Sequence, residues 1–222
     1  MKTPENNLET AISFSASAMV PTRHGDWEMS TFHDAQGVEH VCLTHGEVQD
    51  AEAVLCRFHS ACMTGEIFGS SRCDCGEQLE AAFHRIQQAG RGVIVYLAQE
   101  GRGIGLTNKL RAYDVQNRGY DTVDANRALG LPDDLRSYDS ANAILNLLGV
   151  KSVRLMTNNP DKLRSVREAG LLSEREPHLQ PVGDLAQRYV RTKQHRMGHL
   201  NEGASDARPL FLTEFNSLLS AS

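Results

Sequence analysis

An α/β core preceded by a β-rich N-terminal part is the fold class that the sequence predicts. Three observations carry it. Short β-type runs crowd the region before residue 60, amphipathic helical spacing begins at Gly76, and apolar runs alternate with helical stretches from there on. The clearest run, Gly92–Leu97 (GVIVYL), has no polar position at all, as in a strand buried on both faces.

In chain order, residues 1–20 are polar and small, rich in Ser, Thr and Ala, and read as a loose leader, with the boundary set at 1–19. Trp27 belongs to a strand that follows a Gly25-Asp26 turn. Glu39–Leu43 (EHVCL) and Ala53–Phe58 (AVLCRF) are β-type runs with turn residues such as Gly37 and Gly46 around them. Leu79, Ala82, Phe83 and Ile86 follow i, i+3, i+4, i+7 spacing, which predicts a helix over Gly76–Ala89 stopped by Gly90. After Gly92–Leu97, the glycine-rich turn Gly101–Gly105 leads into a helix reaching about Arg118. Ala141, Ile144, Leu145 and Leu148 mark another helix, ended by Gly149. Ser152–Met156 is a second buried strand, and Thr157-Asn158-Asn159-Pro160 opens a further helix with Pro near its first position. The tail, residues 201–222, is polar except for Leu210–Phe215, read as a docking helix. Residues 20–200 form one unit.

Composition removes several function classes. The 222 residues carry 23 basic and 28 acidic side chains, a net charge of −5, and 6% aromatics, a poor match to a nucleic-acid surface. No apolar run approaches the ~18 residues of a membrane span. Glu5, Asn6, Asn7 and Glu9 interrupt any signal-peptide pattern. Five unevenly spaced cysteines do not make a secreted disulfide framework, so a reduced, cytoplasmic setting is expected. Cys42 and Cys56 read as buried small hydrophobes.

The other three, Cys62, Cys73 and Cys75, fall within fourteen residues. Thiolates are preferred Zn²⁺ ligands, and three protein ligands leave a fourth position for water, as in a catalytic site. A structural site would add a fourth side chain, for which His59 is the nearest candidate. A redox dithiol at the C-x-C pair is the remaining alternative. Three thiolates more than neutralise the ion, so water bound there is less acidic than at a three-histidine site.

Cations recur in the motif-like segments: Arg57, Arg72, Arg102, Lys109, Arg111, Arg136 and Lys162. Arginine suits bidentate phosphate recognition. Arg102 sits in a strand-to-helix glycine turn, and Thr157–Lys162 combines a helix N-terminus, a hydroxyl and a cation. Each signal alone is weak, and no G-x-x-x-x-G-K-[ST] motif is present.

Taken in order, several segments resemble the GTP cyclohydrolase II family. They are His59–Gly76 (HSACMTGEIFGSSRCDCG), Gln99–Leu106 (QEGRGIGL), Lys109–Tyr113 (KLRAY), Gly119–Asn126 (GYDTVDAN), Thr157–Pro160, Thr192-Lys193 and Met197–His199. The resemblance spans about Val20 to Leu200. It implies a mixed sheet flanked by helices, a homodimer, one Zn²⁺ per subunit on Cys62, Cys73 and Cys75, and Mg²⁺ with a bound triphosphate. The implied reaction converts GTP to 2,5-diamino-6-ribosylaminopyrimidinone 5′-phosphate, formate and pyrophosphate, the entry to riboflavin. It needs no nucleic acid or membrane. The partner domain that makes dihydroxybutanone phosphate is expected to be absent.

By the same resemblance, Arg57, Phe58, His59, Ser60, Ala61, Gln78, Glu100, Gly101, Arg102, Thr122, Thr157 and Lys162 match positions that contact GTP. Asp134 matches the family's proton acceptor, Arg136 its proposed nucleophile, and Tyr113 a tyrosine near the reacting purine carbon. A guanidinium holds its proton to pH ~12 or above, which favours Arg136 as a stabiliser of the transferring phosphoryl group instead. The sequence departs from the family pattern at Ala61 (usually Glu), Ala98 (usually Arg) and Ser137 (usually acidic), and Glu66 replaces an Asp. These departures predict retained zinc binding with altered or slow turnover. The alternatives are a relative that takes another purine or pyrimidine nucleotide or stops at the formamide intermediate, and a zinc-stabilised binding module without activity.

Overall fold

A computed structural model describes residues 12–179, 187, 190, 192, 194 and 196–200. Its centre is a seven-stranded mixed sheet in the order β1-β2-β3-β5-β4-β6-β7. The strands β1 (Ser13–Thr22), β2 (Gly25–His33) and β3 (Glu39–His45) form an antiparallel meander. β3 attaches antiparallel to β5 (Gly92–Leu97). From β5 the sheet continues in parallel through β4 (Val54–Ser60), β6 (Ser152–Met156) and β7 (Leu172–Glu176).

Two-residue alternation along the central strands divides the core into two layers. Val54, Cys56 and Phe58 of β4 join Val93, Val95 and Leu97 of β5 on one face. That face is covered by α5 (Asp139–Leu147), through Ala141, Ile144 and Leu145, and by α6 (Pro160–Glu168), through Leu163 and Val166. On the other face Leu55, Ile94, Trp27 and Met156 pack under α2 (Cys75–Ala89), which contributes Ala82 and Ile86. Cys42 and Cys56 are fully buried, as expected of small hydrophobes.

The expected helices and buried strands appear within a few residues of their predicted bounds. Gly90 ends α2 with φ +74°, the left-handed cap that glycine favours. α3 (Gly105–Asn117) follows the glycine turn, and Pro160 is the first residue of α6. The sequence reading passed over three further elements. These are α1 (Met63–Glu66), α4 (Thr122–Ala128) and the polar edge strand β7. α4 is announced by Asp121, whose carboxylate accepts the amides of Val123 and Asp124 at 2.8 and 2.9 Å.

Two expectations change. Residues 13–19 are strand rather than loose leader. β1 is an edge strand exposed over most of its length, so its stability comes from backbone pairing with β2 and leaves no hydrophobic signature. The hairpin turn that precedes Trp27 is Arg23-His24, and Gly25-Asp26 already opens β2. The docking helix read at Leu210–Phe215 lies outside the described residues, as do residues 1–11. No helix among the described residues is long and apolar enough to cross a membrane.

Trp27 is fully buried and its indole N–H donates to the His24 carbonyl at 2.9 Å. Trp27→Ala should therefore cost about 3–5 kcal/mol, the range for a large core aromatic. A lower denaturant midpoint at unchanged slope, followed by circular dichroism, checks this.

Candidate active site

The chain leaves β4 through α2 toward β5, but leaves β6 through α6 toward β7 on the other side. Connections that diverge from neighbouring parallel strands open a crevice at the strands' carboxyl ends. Ser60 and Ala61 emerge there from β4, Thr157–Asn159 emerge from β6, and the 3₁₀ turn Glu100–Gly103 lies beyond the end of β5.

The cysteines gather at one wall of this cleft. Cys62 precedes α1, Cys73 lies in the following loop and Cys75 is the first residue of α2. Their sulfurs lie within 4.8 Å of one another, with 3.6 Å between those of Cys62 and Cys73. Two Zn–S bonds of about 2.3 Å at a tetrahedral angle separate their sulfurs by roughly 3.8 Å, so the donor set fits zinc. Gly65 closes over the group, where a Cβ would stand 2.8 Å from Cys73 Sγ and 3.3 Å from Cys62 Sγ. His59 does not join the cluster. Its Nε2 faces Glu66 Oε1 at 2.8 Å, its ring stacks on Tyr96, and the Tyr96 hydroxyl donates to Glu66 Oε2 at 2.5 Å. The structural reading with His59 as fourth ligand therefore loses its candidate.

Lys109 links this wall to the glycine turn. Its Nζ donates to Cys62 Sγ at 3.1 Å and to Glu100 Oε1 at 2.7 Å. Burial disfavours the ammonium, but Glu100 and Cys62 outweigh it and raise its pKa above the ordinary lysine value. Hydrogen bonds from Cys73 and Cys75, against the cost of burial, hold the Cys62 thiol well below its ordinary value, and Lys109 adds to that.

The cleft is otherwise cationic. Arg57, Arg102, Arg136 and Lys162 line it, and among the described lining residues the one carboxylate is Glu100. Arg57 is buried on the α2 side of β4 and donates to the Met156 carbonyl at 2.7 Å and to Gln78 Oε1 at 2.5 Å. Burial lowers its pKa to about 10, so it stays charged at neutral pH. Lys162, also buried, donates to the Phe58 carbonyl at 2.7 Å and lies over the Tyr138 ring. Asn159 caps α6 by accepting the Asp161 amide at 2.9 Å. Arg102 adopts φ +62°, uncommon for a residue with a Cβ, between Gly101 (φ +62°) and Gly103 (φ +87°). Gly103 is packed so closely that a Cβ would meet Leu135 Cβ at 2.9 Å, and the Leu135 amide donates to the Arg102 carbonyl at 3.0 Å. This contact sets Arg102 beside the Asp134–Arg136 loop.

Most residues singled out in the sequence reach the cleft. Ser60, Ala61, Gly101, Tyr113, Thr122 and Thr157 line it alongside the groups already described. Phe58 does not: its ring belongs to the opposite core layer and only its carbonyl is used. Asp134 stands behind Arg136, gripping it at 2.5–3.1 Å, and Arg136 keeps its carboxyl below the usual range despite burial. Tyr113 packs under Arg72, whose guanidinium is 4.9 Å from the ring centre, and burial raises its phenol pKa. Of the three departures, only Ala61 faces the cleft. Ser137 instead accepts the Asp139 amide at 3.1 Å at the start of α5, and Ala98 is exposed.

The sequence reading noted Lys109 as a nearby cation without giving it a place, carried Asn126 and Asn158 only within longer segments, and missed His178. His178 is buried against the cleft, its Nε2 2.9 Å from the Gln78 carbonyl. A lone histidine in the polar segment after β7 carries no periodic signal that would have marked it.

A family model described as GTP cyclohydrolase II matches residues 13–176. The GTP cyclohydrolase-2 of Neisseria meningitidis serogroup A is 50% identical over 194 residues, covering 87% of this chain and 98% of that protein. The Acinetobacter baylyi protein of the same name is 48% identical over 193 residues, 86% of this chain and 96% of its own. The Bacillus subtilis riboflavin biosynthesis protein RibBA is 46% identical over 197 residues, 87% of this chain but 50% of that longer protein.

Burial, and Arg57 nearby, depress the His178 pKa to about 2. The unfolded chain binds a proton there near pH ~6.5 and the folded chain does not. Stability is therefore fully present above about pH 6.5 and falls as pH drops toward the folded value. The slope due to His178 is about 1.4 kcal/mol per pH unit over the upper part of that window. His178→Gln should remove that slope between about pH 5.5 and 4, as measured by denaturant titration at each pH.

Proposed function

The chain belongs to the GTP cyclohydrolase II family, and on that premise we propose that it hydrolyses GTP to 2,5-diamino-6-ribosylaminopyrimidinone 5′-phosphate, formate and pyrophosphate at the head of riboflavin biosynthesis. The observation that carries this reading is one cleft lined both by a three-cysteine cluster and by four cations, Arg57, Arg102, Arg136 and Lys162. Such a site can hold a polyanion on its cations while the attached base reaches the cysteine cluster.

Cys62, Cys73 and Cys75 would hold one Zn²⁺ per subunit, which when bound supplies a Lewis acid and an activated water. The other roles belong to this chain's side chains. Lys109 offsets the negative charge of the thiolates and is held there by Glu100. A carboxylate offers about four acceptor positions, and Met63 N, Gly101 N and Lys109 Nζ already use three of Glu100's. Little of Glu100 is left to read a guanine edge, so positioning Lys109 is its main role. Tyr113 keeps its proton on Oη through neutral pH and can donate it to a ring nitrogen as the imidazole opens. Arg136, held by Asp134, stabilises charge on the transferring phosphoryl group. Asp134 is then a positioning residue, since Arg136 occupies both its oxygens and holds its carboxyl ionised. Mg²⁺ accompanying the triphosphate, a homodimer and a cytoplasmic setting complete the proposal.

Ala61 favours a second reading, a relative tuned to another nucleotide, because it leaves the cleft wall beside Cys62 without the expected carboxylate. Loss of such a partner costs roughly 10–100-fold in metal affinity or activity.

Zinc-dependent release of formate and pyrophosphate from GTP, with the pyrimidine identified by mass, is the expected result. Accumulation of a formamide product, or faster turnover of another nucleoside triphosphate, would replace the first reading with the second. Ala61→Glu should raise turnover by about tenfold or more if the carboxylate supports the site. Arg136→Ala should lower pyrophosphate release by about 10²–10³-fold, and a quenched single turnover of the unaltered enzyme should show no phosphate on Arg136.

A further inference from the structure

A second group of metal-type ligands lies away from the cleft. His24, in the turn between β1 and β2, meets Glu80 and His84 of α2, which are one helical turn apart on one face. One ligand atom from each lies within 4.8 Å of the others. His24 Nε2 is 3.2 Å from Glu80 Oε2, and the two imidazoles stand at 88° with ring centres 5.3 Å apart. The set is anchored on one side and open on the other. His24 is buried and stacked flat on Phe83 at 4.5 Å, while His84 is exposed, and all three residues border a surface pocket.

The charge pattern around the group suits a cation. The Arg23 Nε–H donates to His24 Nε2 at 3.0 Å, which assigns that nitrogen a lone pair, and Arg23 also pairs with Glu80. A lone pair and a carboxylate oxygen thus face each other under a guanidinium. The Arg23 side chain is 76% exposed, so an incoming ion can displace it.

We propose that His24, Glu80 and His84 form a second metal site, separate from the thiolates, for a late first-row divalent ion such as Zn²⁺. Two imidazoles and a carboxylate suit such ions and leave coordination positions open to water. The bound ion would cross-link the β1–β2 turn to α2, the helix that begins with Cys75. The proposal rests on these three side chains and does not depend on the reaction assigned to the cleft.

Titrating reduced, metal-free protein with Co²⁺ tests it. Cobalt on thiolates gives intense sulfur-to-metal charge-transfer absorption, whereas a nitrogen and oxygen site gives only weak visible bands. We expect a second equivalent that binds without charge-transfer absorption. Glu80→Gln and His84→Ala should weaken that equivalent by at least the roughly 10–100-fold that loss of an outer partner costs, leaving the thiolate band intact. Arg23→Ala should tighten it. Saturation at one equivalent, or a second equivalent that survives both ligand substitutions, would overturn the proposal.

Discussion

The Arg57 guanidinium holds the cleft together. It is buried in the middle of the sheet, where an unpaired charge would be prohibitive. Its two hydrogen bonds reach the end of β6 through the Met156 carbonyl and α2 through Gln78. Gln78 in turn donates to Asp74 at 2.5 Å, directly between the last two cysteines. One side chain on β4 therefore sets the spacing between the strand ends that carry Thr157–Asn159 and the helix that carries Cys75. The thiolate wall and the cationic wall are not independent constructions, because both are referenced to the same buried charge.

The sequence made the interior of the fold legible because burial leaves a pattern. Gly92–Leu97 and Ser152–Met156 are strands at the predicted positions, and α2 follows the spacing of Leu79, Ala82, Phe83 and Ile86. What could not be read were the elements that stabilise themselves by backbone pairing or capping. β1 alternates among small polar residues because both its faces meet water, and α4 is defined by Asp121 more than by apolar content. The same division applies to the cleft. Cysteine spacing marked the thiolate wall, and isolated cations became a wall only through topology, when β4, β6 and the turn after β5 met at one edge. Lys109 shows the limit: four residues after Gly105 it looks like a surface helix cation, and only the fold turns it toward Cys62.

The departures from the family pattern are also reweighted by geometry. Position 137 serves the start of α5, where a serine hydroxyl accepts an amide as well as an acid would. Position 98 meets solvent and contributes its backbone amide to His40. Ala61 lines the cleft itself, and Glu66 bears on it through His59, so these two positions are where a departure meets the site.

The left-handed backbone at Arg102 carries a last consequence. A residue with a Cβ held at φ +62° sits about 1–2 kcal/mol above its relaxed conformation, and the neighbouring glycines with the Leu135 amide keep it there. The backbone freedom that a loop arginine would surrender on meeting an anion has been surrendered already, during folding. A backbone fixed in this way is the same before and after any bond in the cleft is broken. In the proposed reaction the liberated pyrophosphate would leave past the same preformed backbone that met the incoming nucleotide.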